Sequence, residues 1–359
     1  MTHLKALQDN FLTDPASAVL VSSELNQRYL SGFAYSDGYV LVMPSDAYLL
    51  ADFRYIEAAE KGVKVKGLQV RMPKGSMLDE VASLLRTHGI RTVYVEEKAL
   101  SYADFCRFET LLSGMTLKAG ASAYLSRQRN IKTDEELVLM AKAQSITDKA
   151  FTHILSVLSP RMTEIDVALE LEYFMRRNGA DGLAFDTIAV SGSASALPHG
   201  VPRNVPLEKG FLTMDFGATY EGYCSDMTRT VVMGRADDEM KRLYGTVLDA
   251  QRAALACIAE GVHCREADAV ARNLIHERGY EGCFGHSLGH GVGLYIHEPV
   301  RLASSAPAEE VLVRGNVVTV EPGIYRQGQY GCRIEDMVAV CHDGTVRNFT
   351  QSPKELIEI

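Results

Sequence analysis

Three of the ten histidines, His286, His290 and His297, fall in the single stretch GHSLGHGVGLYIHEPVR (285–301). Imidazole at neutral pH serves as metal ligand, as general acid or base, or as a packed core group, and the stretch alone does not choose. Two other segments narrow the choice. In GFLTMDFGATYEGYCSDMTRTVVMG (210–234), β-prone runs flank a turn at Thr219–Gly222. A turn centred between Tyr220 and Glu221 sets Asp215 directly opposite Asp226, with Cβ atoms about 4.5–5.5 Å apart. In VVTVEPGIYRQGQYGCRIEDMVAV (317–340), a turn centred on Gly328 sets Glu321 opposite Glu335, although a one-residue bulge in either hairpin would turn a carboxylate to the other face. Like charges directly opposite destabilise a hairpin, and two close carboxylates do not both ionise readily without a cation. Singly, these residues have simpler readings: Asp215 as part of a turn, and Asp226 with Arg229 or Glu335 with Arg333 as strand salt bridges. Two such pairs point instead to a cation site. Four carboxylates balance two divalent ions, and with one imidazole they form an oxygen-rich shell suited to Mn, Fe, Co or Zn. A two-metal site acidifies a bridging water into a nucleophile, so the expected chemistry is hydrolysis.

The elements that must position these residues are legible in outline. AVLVS (18–22), GYVLVM (38–43), AYLLAD (47–52) and TVYVEE (92–97) read as strands, with helix-spaced FRYIEAAEKG and MLDEVASLLRTHG between them. This is an α/β layer domain, assigned to residues 1–127. The segment LSRQRNIKTDEEL (125–137) reads as a polar connection into a long helix opened by a Thr133/Glu136 capping box. Helices are expected at about 134–158 and 163–178 and in a region at about 237–279. The rest of 128–359 is strands and hairpins, which makes the second domain α+β.

Composition sets the outer limits. Of 359 residues, 47% are hydrophobic and 23% charged, as in an ordinary globular protein, and the formal charge of −9 gives no basic footprint for nucleic acid or an anionic membrane. The N-terminus lacks a basic-then-apolar leader pattern and no apolar run approaches the roughly 18 residues of a membrane span, so a cytoplasmic location is expected. The seven cysteines are odd in number with no Cys-x-x-Cys pair, so all are expected to be reduced and structural.

The motifs resemble the pita-bread metallopeptidases of the aminopeptidase P and prolidase group. The likeness is carried by ALPHG (196–200), MDFGATYEGYCSDMTRT (214–230), GHSLGHGVGLYIHE (285–298), TVEPGIY (319–325) and RIED (333–336), in the family's order and spacing. RYLSGF (28–33), YLLADFRYIEAA (48–59) and IKTDEEL (131–137) resemble its N-terminal domain and linker. The resemblance implies a creatinase/prolidase-type α/β domain followed by an α+β pita-bread catalytic domain. It implies that Asp215, Asp226, His290, Glu321 and Glu335 bind two divalent ions, manganese first, with cobalt, zinc or iron as alternatives. Asp226 and Glu335 then bridge, Asp215 binds one ion, His290 and Glu321 bind the other, and Glu321 shuttles the proton. His199 and His297 match histidines that bind substrate beside the metals, and His286 matches a further pocket histidine. Arg333 and Tyr325 would support the ligands from behind, and Arg301 matches a cation that some dipeptide-cleaving relatives place for the proline carboxylate.

The implied activity is hydrolysis of the bond between an N-terminal residue and proline in dipeptides or short peptides, by a homodimer. The alternatives are a broader aminopeptidase with methionine-type activity, a creatinase-like C–N hydrolase without metal, and a non-catalytic pita-bread binding protein. The last two would be expected to lose ligands, and all five are present. His297-Glu298 does not open a zincin motif, because Arg301 stands where the second histidine belongs and Pro299 opposes a helix. The glycines at 285–293 match a dinucleotide loop only weakly.

Overall fold

The apolar runs of the first third form one mixed sheet. Its strands are β1 (Ser17–Val21), β2 (Tyr39–Val42), β3 (Ala47–Leu50), β4 (Leu68–Arg71), β5 (Thr92–Val95) and β6 (Thr116–Lys118), in the order β4-β3-β2-β1-β5-β6. β1 is buried at all five positions, as a strand covered on both faces must be. Helices α1 (His3–Asn10), α2 (Glu24–Ser31), α3 (Ile56–Gly62), α4 (Met77–Thr87), α5 (Tyr102–Leu111) and α6 (Ala121–Asn130) complete this part. Ser23, Ser76 and Ser101 cap α2, α4 and α5, each accepting a backbone N–H three residues on. The structure is a computed structural model describing residues 2–359. It divides into two compact units, one ending at Arg129 and one running from Asn130 to Ile359.

One expectation for this part is corrected. The first part of the segment read as a polar connection, residues 125–130, belongs to helix α6, which starts at Ala121. Its buried face comprises Ala121, Ser122, Leu125 and Arg129. Half of that face is polar, which hides the helical period that sequence reading depends on.

The second unit begins with α7 (Asp134–Val157) and α8 (Glu164–Arg177), each opened by a reciprocal capping box, Thr133 with Glu136 and Thr163 with Asp166. Strands β7 (Gly182–Leu183), β8 (Ile188–Ser191), β9 (Gly210–Phe216), β10 (Ala218–Tyr220), β11 (Tyr223–Cys224) and β12 (Met227–Met233) follow. After α9 (Asp238–Cys257) and α10 (Cys264–Glu277) come β13 (Gly289–Gly291), β14 (Glu298–Leu302), β15 (Val317–Val320), β16 (Gly323–Arg326), β17 (Tyr330–Arg333), β18 (Asp336–Val340) and β19 (Val346–Asn348). Among the described residues three core clusters lie in the unit, the smallest around Met140, Val317 and Met337. Ile146, Phe151 and Leu171 of α7 and α8 pack with Leu212, Met214 and Val231 of the β8-β9-β12 sheet. Leu243, Val247 and Ile275 of α9 and α10 pack with Val300, Val318 and Val338 of the β14-β13-β15-β18-β19 sheet. The unit is therefore α+β. Among the described residues no helix is long and apolar enough to cross a membrane, and all seven cysteines are free.

The two hairpins differ in how they meet expectation. β16 and β17 pair Gly323 with Arg333 through Arg326 with Tyr330, and β15 and β18 pair Val320 with Asp336. Glu321 and Glu335 lie between these ladders in the same register, as the turn centred on Gly328 requires. In the first hairpin Asp215 faces Thr228, not Asp226. The turn is Glu221-Gly222, both with positive φ (46° and 84°), inside the Tyr220–Tyr223 pair, so its centre lies one residue beyond the expected one. The pairing thus moves by two residues. An even shift keeps the side chain on the same face, so Asp226 remains beside Asp215 as a diagonal neighbour.

Candidate metal centre

Three of the four carboxylates of the two hairpins are held by a hydrogen-bonding partner. Asp215, on β9, accepts the Arg333 Nη2 hydrogen bond on Oδ2 at 2.6 Å, while its buried Oδ1 has no partner among the described residues. Glu335 accepts from Thr228 Oγ1 on Oε2 at 2.7 Å. The same hydroxyl accepts from Arg333 Nε at 2.9 Å, so Thr228 links guanidinium and carboxylate. Glu321 Oε1 accepts from Thr319 Oγ1 at 3.2 Å. His290, central in β13, holds Nδ1 against the Gly291 carbonyl at 3.1 Å. A proton on Nδ1 leaves the Nε2 lone pair facing Asp226 Oδ2 and Glu321 Oε1, both at 3.5 Å.

The electrostatics follow from burial. Loss of water, with the neighbouring carboxylates, pushes the acids of Asp226 and Glu335 well above their ordinary range, and burial lifts Glu321 to about 8. Burial lowers His290 to about 3 and His286 to about 4, so both rings are neutral. Ligand atoms of Asp226, His290 and Glu335 lie within 4.8 Å of one another. A buried orphan oxygen on Asp215, clustered carboxylates and a neutral imidazole presenting Nε2 are the donor set of a divalent-cation centre, and the residues fit such ions.

Of the eleven residues singled out from the sequence, all but Tyr325 line one cavity of about 280 Å³: His199, Asp215, Asp226, His286, His290, His297, Arg301, Glu321, Arg333 and Glu335. His297 is exposed and packs edge-on against His290, ring centroids 4.5 Å apart. His199 is exposed on the loop after the short 3-10 helix Gly192–Ala196. Arg301 is the cross-strand partner of His290. His286 is set back: Nε2 meets the Tyr325 hydroxyl at 2.9 Å, and that hydroxyl accepts from Arg333 Nη1 at 2.7 Å. Arg333 therefore grips Asp215, Thr228 and Tyr325 together, and its Nη1 also reaches the Pro198 carbonyl beside His199 at 3.2 Å.

Sequence reasoning missed Phe185, Asp186, Ile188 and Ile296 in the cavity wall. Ile188 is the β8 partner of Asp215, a relation that could be read only once β8 was known to flank β9. It also missed two carboxylates that hold the histidine loops. Asp268 on α10 pairs with Arg272, accepts the Leu288 N–H at 3.1 Å, and leaves Arg272 to donate to the Phe284 and His286 carbonyls at 2.7 and 2.8 Å. Glu164, fully buried at the start of α8, accepts from the Ser191 and Arg203 N–H groups and from the Arg203 guanidinium, fixing both ends of the loop that carries His199. Glu164→Ala leaves those backbone donors unmet. It is expected to cost about 2–4 kcal/mol in a urea melt, discounted for the half-exposed Arg203, and to lower activity even where the protein remains folded.

A unit of antiparallel sheets under paired helices, with a buried carboxylate–imidazole cluster open to one cavity, is the catalytic half of a metal-dependent hydrolase. The description Metallopeptidase family M24 matches residues 138–342, and Creatinase/Prolidase N-terminal domain matches residues 3–131. The chain belongs to metallopeptidase family M24, and its second unit has the pita-bread fold. It is similar over nearly its whole length to several relatives. A solved structure described as an Xaa-Pro dipeptidase from Bacillus anthracis is 41% identical, with 99% of this chain and 98% of that chain covered and a TM-score of 0.92. An X-Pro aminopeptidase structure from Thermotoga maritima MSB8 is 35% identical over 96% and 98% of the two chains, with a TM-score of 0.90. An Xaa-Pro dipeptidase of Pyrococcus horikoshii is 37% identical over 344 residues, covering 95% of this chain and 94% of the relative.

Proposed function

We propose that this metallopeptidase hydrolyses the bond between an N-terminal residue and proline in dipeptides and short peptides, and that Asp215, Asp226, His290, Glu321 and Glu335 hold its two divalent ions. The observation that carries the reading is the clustering of these five residues, all but Glu321 buried, in a cavity that also presents His199, His297 and Arg301. Two such ions would supply Lewis-acid polarisation of the scissile carbonyl and an acidified water. The protein's own groups do the rest. The Glu321 carboxylate takes the proton from the attacking water and delivers it to the proline nitrogen, a tertiary amide nitrogen with no hydrogen of its own, which must be protonated to leave. His199 and His297 donate to the carbonyl oxygen as charge builds there, a contribution of about 2–4 kcal/mol for a well-placed donor. Arg301 faces the carboxylate end of a dipeptide.

Manganese as the working metal and a homodimer are carried over from the family resemblance, and a cytoplasmic location is the expectation of the sequence reading. The net charge of −9 is in keeping with a peptide substrate and no nucleic acid or membrane partner. The test is hydrolysis of Met-Pro against Met-Ala by manganese-loaded protein, repeated after chelation and after Mn or Co is added back. Selective, chelator-sensitive cleavage of Met-Pro is expected; absence of cleavage of any Xaa-Pro peptide would overturn the reading. Arg301→Ala is expected to lower kcat/KM for Met-Pro about tenfold, mostly through KM, with a smaller loss on a C-terminally amidated substrate. Equal losses on both would remove Arg301 from carboxylate recognition.

A further inference from the structure

Beside the catalytic cavity lies a second groove of about 520 Å³, which shares Ser287 and Arg301 with it and continues over Pro299, Ser305, Pro307 and Glu310. The local structure explains the continuity. Along β14, Glu298, Val300 and Leu302 are buried while Pro299 and Arg301 alternate outward, so the latter two share the face that looks onto the groove. Arg301 is also the strand partner of His290, which places it at the boundary between the two hollows. The groove wall beyond Arg301 is apart from Glu310 uncharged. The half-buried Glu310 carboxylate has no hydrogen bond or ion pair among the described residues. Partial burial and the adjacent Glu309 push its acid upward, as expected of a carboxylate without a cation.

A peptide longer than two residues continues past proline by about 3.3–3.6 Å per residue, so a chain leaving the cavity at Arg301 enters this groove directly. We infer that the groove binds the residue after proline and favours a basic side chain there, so that Xaa-Pro-Lys and Xaa-Pro-Arg peptides are substrates alongside dipeptides. The inference rests on the Xaa-Pro reading above and extends it to the residue that follows. Pro299 and Pro307 pack against the aliphatic stem, and Glu310 meets the ammonium or guanidinium head, the usual division of a long basic side chain.

The test compares kcat/KM for Met-Pro, Met-Pro-Lys and Met-Pro-Glu with the manganese-loaded enzyme. The Lys peptide is expected to exceed the Glu peptide about three- to tenfold, and Glu310→Gln to bring that ratio close to one. Ser305→Trp, at an exposed position, is expected to lower the Met-Pro-Lys to Met-Pro ratio at least about fivefold by filling the groove. Calorimetry on chelator-treated protein provides a readout independent of turnover: Pro-Lys should bind more tightly than Pro-Glu, and Glu310→Gln should erase the difference. Cleavage of Met-Pro without Met-Pro-Lys, or parallel loss of both in Ser305→Trp, overturns the groove alone. Failure to cleave any of the three peptides overturns the Xaa-Pro reading, and the groove's assignment with it.

Discussion

Asp226→Asn is expected to reduce Xaa-Pro hydrolysis by about three orders of magnitude or more and, at the same time, to stabilise the chelator-treated protein. Both effects follow from the cluster's charge. Asp226 and Glu335 are buried beside each other and beside Asp215 and Glu321, and without a cation their acids are held well above the ordinary range. The folded, chelator-treated protein therefore retains protons that the unfolded chain has already released, and its stability must fall as pH rises. Glu321 marks the window: its acid moves from an ordinary 4.5 to about 8, so the loss runs between those values and amounts to a few kcal/mol, on the order expected for such shifts. Divalent metal reverses the trend by binding the ionised form. The Asn variant removes one member of the repelling group and is expected to be about 1–3 kcal/mol more stable than chelator-treated wild type at pH 8. Thermal melts at pH 5 and pH 8, with and without metal, measure this. A variant less stable than wild type under every condition would contradict the electrostatic account.

Arg333→Lys is expected to lower metal affinity about 10- to 100-fold and kcat by a similar factor, with little change in overall fold. The guanidinium acts through several directed bonds at once, to Asp215, Thr228, Tyr325 and the Pro198 carbonyl. A lysine keeps the charge but reaches at most part of that set, because its point-like ammonium lacks the planar fork. Two readouts separate orientation from charge. Metal titration should show weakened binding, and substitution of Tyr325 by Phe, which removes only one of the bonds, should give a smaller loss. Wild-type metal affinity in Arg333→Lys would show that charge alone suffices.

The carboxylates were legible because hairpin pairing is local and side chains alternate with a period of two. Gly328 gave the second register directly. In the first hairpin the turn was misplaced by one residue, since the positive φ of Glu221 gives no signal in a residue type that seldom adopts it, yet the even shift left Asp215 and Asp226 on one face. Residues brought in from distant elements were not legible. Glu164, in the first turn of α8, and Asp268, further along α10, look like ordinary helix acids, and only the folded chain shows that each grips a loop bearing a histidine. Ile188 and Phe185 are unremarked apolar positions until β8 lies beside β9. Helix α6 was hidden for a related reason, because its buried face is half polar and its pattern depends on what it packs against.

If Asp215, Asp226, His290, Glu321 and Glu335 together form a two-ion centre, the metal stoichiometry must show it. Calorimetric titration of manganese into chelator-treated protein should reach two equivalents per chain in the wild type and fall below one in Asp226→Asn. Saturation of the wild type at one equivalent or none, or an unchanged two equivalents in the variant, would contradict the assignment.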